Sequence, residues 1–310
     1  MALHKSVSFQ DGPKITVSAM VKQPTIIPKR IISILEQQFI VDALLRKLPP
    51  TNSGVYVYEE STPLFADEDA QIVEEFGEIP VVSGKVGARK VAFTVKRALG
   101  LKVSQEMINR NQVDRVNTQM TQIKNTMLRT WETVFLQAML NHPDVPTMAS
   151  TAPWDGVGSK IRFDLAEGQR RVGDAAPADS PDNYYGFEAD TLVIGRRTRT
   201  DLITSDDFNA VYRNGANLAE KSPEYKGTLP GEFYGLTIMV SREMDRLAPD
   251  RALLLQRKVV GGIGDERALK STPLYEEKKS NETWRSDTLR QSAVVLDQPK
   301  AALWITNVET

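Results

Sequence analysis

Apolar residues recur at steps of three and four from Val113 to Ala138, at Val113, Val116, Met120, Ile123, Met127, Trp131, Val134 and Ala138. This period draws one apolar stripe along a helix. Asn111, Arg115, Gln119, Gln122, Asn125 and Arg129 make the opposite, polar face. Ser104 is placed to cap the start, and Glu106 brings negative charge to the unpaired N–H groups of the first turn. No Pro or Gly interrupts the run before Pro143. A single helix over 104–142 is therefore predicted, roughly 50 Å or longer at about 1.5 Å per residue. The stripe reports burial alone, and it suits a coiled coil as well as a long core helix.

The strand signals lie on either side of this helix. Before it, the alternation in KVAFTVKRA marks a strand that leads through Leu99-Gly100-Leu101. Further upstream, Ile32, Leu35, Phe39, Ile40 and Leu44 share one face of a helix from about Arg30 to Lys47, which Pro49-Pro50 ends. Val55 and Val57 alternate with Tyr56 and Tyr58 as another strand. After Pro143 the elements shorten: a helix near Ser159 to Val172, a strand Thr191 to Ile194, and a helix from Gly195-Arg196-Arg197 to Ile203. PGEFYGLTIMVSREM reads as a turn and strand, RALLLQRKVV as a strand, and RSDTLRQSAVVLDQPKAALWIT as two strands split by Asp297-Gln298-Pro299. The fold class is α+β, without a βαβ repeat.

Charge changes the picture between the Val55 strand and the long helix. From Glu59 to Glu78 there are eight acidic residues and no basic ones; from Val81 to Lys102 stand Lys85, Arg89, Lys90, Lys96, Arg97 and Lys102 and no acids. Residues 59–90 read as a long two-stranded excursion with too little apolar surface to fold on its own. An isolated ribbon is marginal in water, so a second copy of the chain is its expected support, with opposite charges setting register. An internally salt-bridged surface loop fits the same pattern. Residues 1–30 read as a basic arm: Lys5, Lys14, Lys22, Lys29 and Arg30 stand against Asp11, and Pro13, Pro24 and Pro28 punctuate it.

Composition narrows the chemistry. The 310 residues carry 39 Lys plus Arg against 40 Asp plus Glu, which argues against a strongly basic nucleic-acid binder. Cys is absent, so disulfides, thiolate metal sites and Cys nucleophiles are excluded. With two histidines, His4 and His142, zinc-type clusters and His-based triads are not expected; His142, beside Pro143, reads as a cation at a helix C-terminus. Arg196, Arg197 and Arg199 are placed to meet an anion or an acidic neighbour, although such a cluster is more commonly a solvated face. Gly261-Gly262-Ile263-Gly264 lacks the spacing of a nucleotide-binding loop and reads as a strand connection. Asp67-Glu68-Asp69 and Ser205-Asp206-Asp207 are acidic pieces of the kind that is usually solvated. No catalytic, cofactor-binding or metal-binding residue is assigned, and no cofactor is expected. No apolar run spans a bilayer and no signal core is present, so no membrane association and a cytosolic site of synthesis are expected.

The order of these elements resembles the tailed-bacteriophage major capsid protein of the HK97 fold. EFGEIPVVSGKVGARKVAFTV is similar to that family's extended loop and return strand, and LKVSQEMI to the start of its spine helix. ADTLVIGRRTRTDLI and LPGEFYGLTIMVS are similar to its axial-domain pieces, and AVVLDQPKAALWIT to its terminal strand. The resemblance covers nearly the whole chain and rests on order and spacing.

The resemblance implies an N-terminal arm at 1–30, a peripheral domain from 31–58 and 91–142 with spine helix 104–142, and an extended loop at 59–90. It further implies an axial domain at 143–250, with return strands of the peripheral domain and the C-terminal strand at 251–310. The implied function is self-assembly into hexamers and pentamers of an icosahedral head shell around double-stranded DNA, in a virion assembled in host cytoplasm. Implied partners are other copies, a portal, decoration proteins and, because the arm is short, a separate scaffolding protein. DNA contact would be weak and sequence-independent. Lys85 or Lys90 with Asn281 would be the pair for a subunit cross-link, for which no buried carboxylate is evident in the sequence. An encapsulin-like compartment shell shares the resemblance, and a carboxylate-based metal-dependent hydrolase at Asp206 and Asp207 is the remaining alternative.

Overall fold

The computed structural model describes residues 16–35, 39–62, 70–73, 76–81, 86–156, 158–177, 183–205, 232–278 and 282–309. Helices α1 (Val17–Lys22), α2 (Ile26–Leu35) and α3 (Ile40–Leu44) precede strands β1 (Arg46–Lys47), β2 (Val55–Glu60), β3 (Ala88–Phe93) and β4 (Val95–Ser104). Helices α4 (Gln105–Asn109) and α5 (Val113–Leu140) follow, then β5 (Thr147–Ala149), α6 (Ile161–Gly173), β6 (Thr191–Ile194) and α7 (Arg196–Thr204). The remainder is β7 (Glu232–Phe233), β8 (Leu236–Val240), α8 (Met244–Leu247), β9 (Arg251–Leu255), β10 (Gly262–Ser271), β11 (Tyr275–Lys278), β12 (Thr283–Val295) and β13 (Ala302–Thr306).

Two sheets and a ribbon organise these elements. In the first sheet β12 pairs antiparallel with β4 from Thr283↔Ser104 to Ser292↔Val95, and with β10 and β11 along its other edge. The second sheet runs β5-β13-β9-β6-β8-β7. Its central strands β6, β9 and β13 are continuous apolar runs because both faces are covered. The ribbon is β2 paired with β3.

The long helix spans both sheets, which explains where its stripe departs from expectation. Val116, Met120, Ile123, Met127 and Trp131 are buried as expected, whereas Val134 and Ala138 are half-buried and Phe135, Leu136 and Met139 take their place. Successive steps of four, from Met127 through Trp131 and Phe135 to Met139, carry the stripe round the axis. At Trp131 it meets Arg97 and Arg290 of the first sheet; at Met139 its carbonyl accepts from Trp304 Nε1 of the second sheet at 3.3 Å.

Several expectations are corrected. Ser104 does cap a helix, accepting from the Met107 N–H, but residues 104–142 are not one helix. Asn111 adopts φ 48° and separates α4 from α5, a left-handed conformation that Asn tolerates without announcing it in a sequence. Its side chain then accepts from the Val17 N–H at 2.8 Å, seating α1. Leu99-Gly100-Leu101 continues β4 and is not a connection to the helix. The 1–30 arm is likewise incorrect from residue 17 onward, because Val17 and Ile27 are core residues. Pro28 falls in the first turn of α2, where its missing N–H costs nothing. The helix expected over 30–47 is α2 and α3, followed by β1. Within the segment 251–310, β9 and the C-terminal strand β13 pair with β6 and β5 in the second sheet, while β10, β11 and β12 belong to the first.

Candidate assembly surface

The ribbon is seated at one end by Tyr56 and Thr94. The Thr94 N–H donates to Gly54 O at 2.9 Å, and its hydroxyl meets Glu266, which also accepts from Gln291 Nε2 at 2.6 Å. Tyr56 lies over Gly264, where a Cβ would stand 2.2 Å from the ring, so this position excludes any side chain. The Tyr56 hydroxyl donates to Pro49 O at 2.8 Å. The glycine run 261–264 thus serves packing at a strand start, in line with its non-nucleotide reading.

At the other end the ribbon is pinned by Glu60, which is 5% exposed. Lys90 Nζ holds one carboxylate oxygen, and this bond raises the lysine pKa against the opposing effect of burial. His142 Nε2 lies 2.9 Å from the other oxygen. The Ser61 N–H donates to Asp297 O at 2.8 Å and the Tyr185 hydroxyl donates to Ser61 O at 3.1 Å. Opposite Glu60, a Cβ on Gly87 would stand 1.9 Å from Glu60 O, so the returning strand passes closely only as glycine. Residues 59–61 and 87–90 are therefore held by their own chain, which corrects the expectation that a second copy supports all of 59–90. The Glu59–Arg89 and Glu60–Lys90 pairs are likewise internal.

With Tyr56 and Tyr58 turned inward, the alternate residues face water. Register pairs Val57 with Val91 and Val55 with Phe93, and period-two alternation puts Val57, Val91, Phe93 and the following Val95 on one side. They are 68%, 52%, 70% and 48% exposed. Beyond the ribbon, Ile72, Phe76, Ile79 and Val81 are each at least 76% exposed. These apolar side chains have no covering partner among the described residues, and contiguous exposed apolar patches are rare on soluble monomers. Its chemistry is burial, with no reacting group in it.

The residues singled out from sequence divide clearly. His4, Asp67-Glu68-Asp69, Lys85, Asp206, Asp207 and Asn281 lie outside the described residues. Arg196 and Arg197 are exposed at the start of α7, and the Arg197 N–H donates to Asp245 at 3.4 Å. His142 does not cap the long helix as expected, because it is turned to Glu60. Lys90 sits on a buried carboxylate that its neighbours in sequence do not show, since Glu60 is thirty positions away in an acid run that reads as solvated. Among the described residues no helix is long and apolar enough to cross a membrane.

The comparisons agree with this architecture. The phage capsid protein family matches residues 88–305. No curated protein matches the chain. Among solved structures, one from Gordonia phage Cozz is similar at 17% identity and TM-score 0.59, covering 87% of this chain and 86% of its own. A virus-like particle from Pyrococcus furiosus is similar at 11% identity and TM-score 0.58, covering 90% and 97%. The capsid of Myoviridae phage XM1 is similar at 8% identity and TM-score 0.50, covering 84% and 89%. Two sheets bridged by a long helix, an outlying ribbon with a bare apolar face, and a family match over most of the chain make one conclusion: this protein belongs to the phage capsid protein family and has the HK97-type fold.

Proposed function

We propose that this chain assembles through heterologous contacts into hexamers and pentamers of an icosahedral head shell enclosing double-stranded DNA. The observation that carries this reading is the apolar face of Val57, Val91, Phe93 and Val95 together with Ile72, Phe76, Ile79 and Val81. A large apolar side chain gains roughly 1.5–3 kcal/mol on full burial, so these half- to fully exposed ones gain about 1–2 kcal/mol each. Several per contact, repeated round a closed ring, suffice to hold a shell. Residues 61–87 then form the extended loop over a neighbouring subunit, and residues 143–250 the axial domain. A portal, a separate scaffolding protein and decoration proteins complete the proposed partner set, with assembly in host cytoplasm. DNA contact is weak and sequence-independent, as the near-zero net charge favours.

The test is electron microscopy of the purified chain beside the Val91→Asp/Phe93→Asp variant. Shells from the parent chain, and folded but unassembled subunits from the variant, are expected. A parent chain that stays monomeric at high concentration, with or without a co-expressed scaffolding protein, refutes the reading. The likeness to a virus-like particle from Pyrococcus furiosus favours a second reading, an encapsulin-like compartment. Particles containing protein cargo and no nucleic acid would select it.

A further inference from the structure

We propose that Glu60, His142 and Asp144 bind a divalent transition-metal ion of the zinc class, which fastens the departing end of the ribbon to the chain beyond the long helix. One ligating atom from each of the three residues lies within 4.8 Å of the others. Glu60 is 5% exposed, and its Oε1 accepts no well-directed hydrogen bond, which leaves this buried carboxylate oxygen under-satisfied. That oxygen faces His142 Nε2 at 2.9 Å. A tetrahedral zinc ion with bonds of about 2.0–2.1 Å sets its ligands roughly 3.3 Å apart, so this pair has to open by only about 0.4 Å to admit the ion.

The surroundings fit an ion in this gap. The Lys90 ammonium holds the other oxygen of Glu60, which turns Oε1 toward the imidazole. Two carboxylates face that one ammonium, so the cluster keeps a negative charge while His142 is neutral, the form that ligates. Asp144 is exposed and leaves an open side for water to complete the coordination. Coordination through Nε2 puts the ring proton on Nδ1 and gives up the Asp144 N–H contact, which at 3.3 Å is longer than an ordinary hydrogen bond. Imidazole with carboxylates selects zinc-like ions over Mg²⁺ and Ca²⁺.

The experiment uses the full chain without an affinity tag, stripped with EDTA and titrated with ZnCl₂, then with MgCl₂, by calorimetry and thermal melting. One zinc ion per chain and a rise in melting temperature of a few degrees are expected, with no comparable response to Mg²⁺. Asp144→Asn, at an exposed position that leaves the fold intact, should weaken zinc binding at least tenfold. The only other histidine is His4, so His142→Gln should abolish binding while His4→Gln leaves it unchanged. No binding at millimolar zinc overturns the proposal, as does binding that survives both Asp144→Asn and His142→Gln. Neither result bears on shell assembly, which is read separately by microscopy.

Discussion

Replacing Arg290 by Met tests how the first sheet, the N-terminal helices and the long helix are joined. Arg290 is 2% exposed. Its guanidinium donates to Asp42 at 2.9 and 3.2 Å and to Asp265 at 3.0 and 3.4 Å. It also lies 5.2 Å from the ring centres of both Phe39 and Trp131. Burial opposes its charge, and the bonds from two carboxylates outweigh that, so its pKa stands above the ordinary arginine value. Removing the cation strands two carboxylates facing each other, and breaking a buried pair in this way costs about 3–5 kcal/mol. Both aspartate side chains retain 28% exposure, so water recovers part of the loss and about 3 kcal/mol is expected. With an m-value near 3 kcal/mol per molar urea for a chain of this size, the midpoint should fall by about 1 M. Urea titration followed by tryptophan fluorescence measures it. Because a fully neutral replacement removes the desolvation cost along with the attraction, Arg290→Met/Asp42→Asn/Asp265→Asn should recover more than half of the loss. A midpoint shift under about 0.3 M for the single change, equivalent to roughly 1 kcal/mol, would refute the argument. So would a triple variant no more stable than the single.

Three further outcomes are expected. Gly264→Ala drives a Cβ into the Tyr56 ring and should destabilise the chain by about 1–3 kcal/mol, with Tyr56→Ala in the same chain restoring part of the loss in thermal melts. Burial raises the Glu132 pKa, with the nearby Glu243 charge adding to it against the Ser241 hydroxyl bond. A raised folded-state value means that the neutral form is favoured by folding, so this site's stabilisation is complete below the ordinary carboxylate pKa and is lost as pH rises through the folded value. Glu132→Gln should therefore stabilise the chain at pH 7 and flatten its stability profile above pH 5, as denaturant titrations across pH would show. Asp164→Ala removes the acceptor for the Thr151 N–H, the Thr151 hydroxyl and Trp154 Nε1 at 2.9, 2.6 and 3.1 Å, and should cost about 3 kcal/mol by thermal unfolding.

Local features are legible in the chain alone: the apolar period of the long helix, the Ser104 cap of the short helix before it, the strands at Val55, Thr191 and Leu236, and the acidic-then-basic character of 59–102. Each of these is a repeat or a residue preference within a few positions, and local sterics and burial act at that range. Their order also carried the family resemblance. Which strands share a sheet is settled by long-range packing, because RALLL and ALWIT read equally well as buried strands of either one. That packing alone decided that the arm packs as helices from residue 17, since the seat for Val17 is made by Asn111, ninety-four positions later. Glu60 shows the limit most clearly. In the chain it is one acid among eight; in the fold it is buried between Lys90 and His142, because a contact across such separations depends on the finished packing and leaves no mark on neighbouring residues.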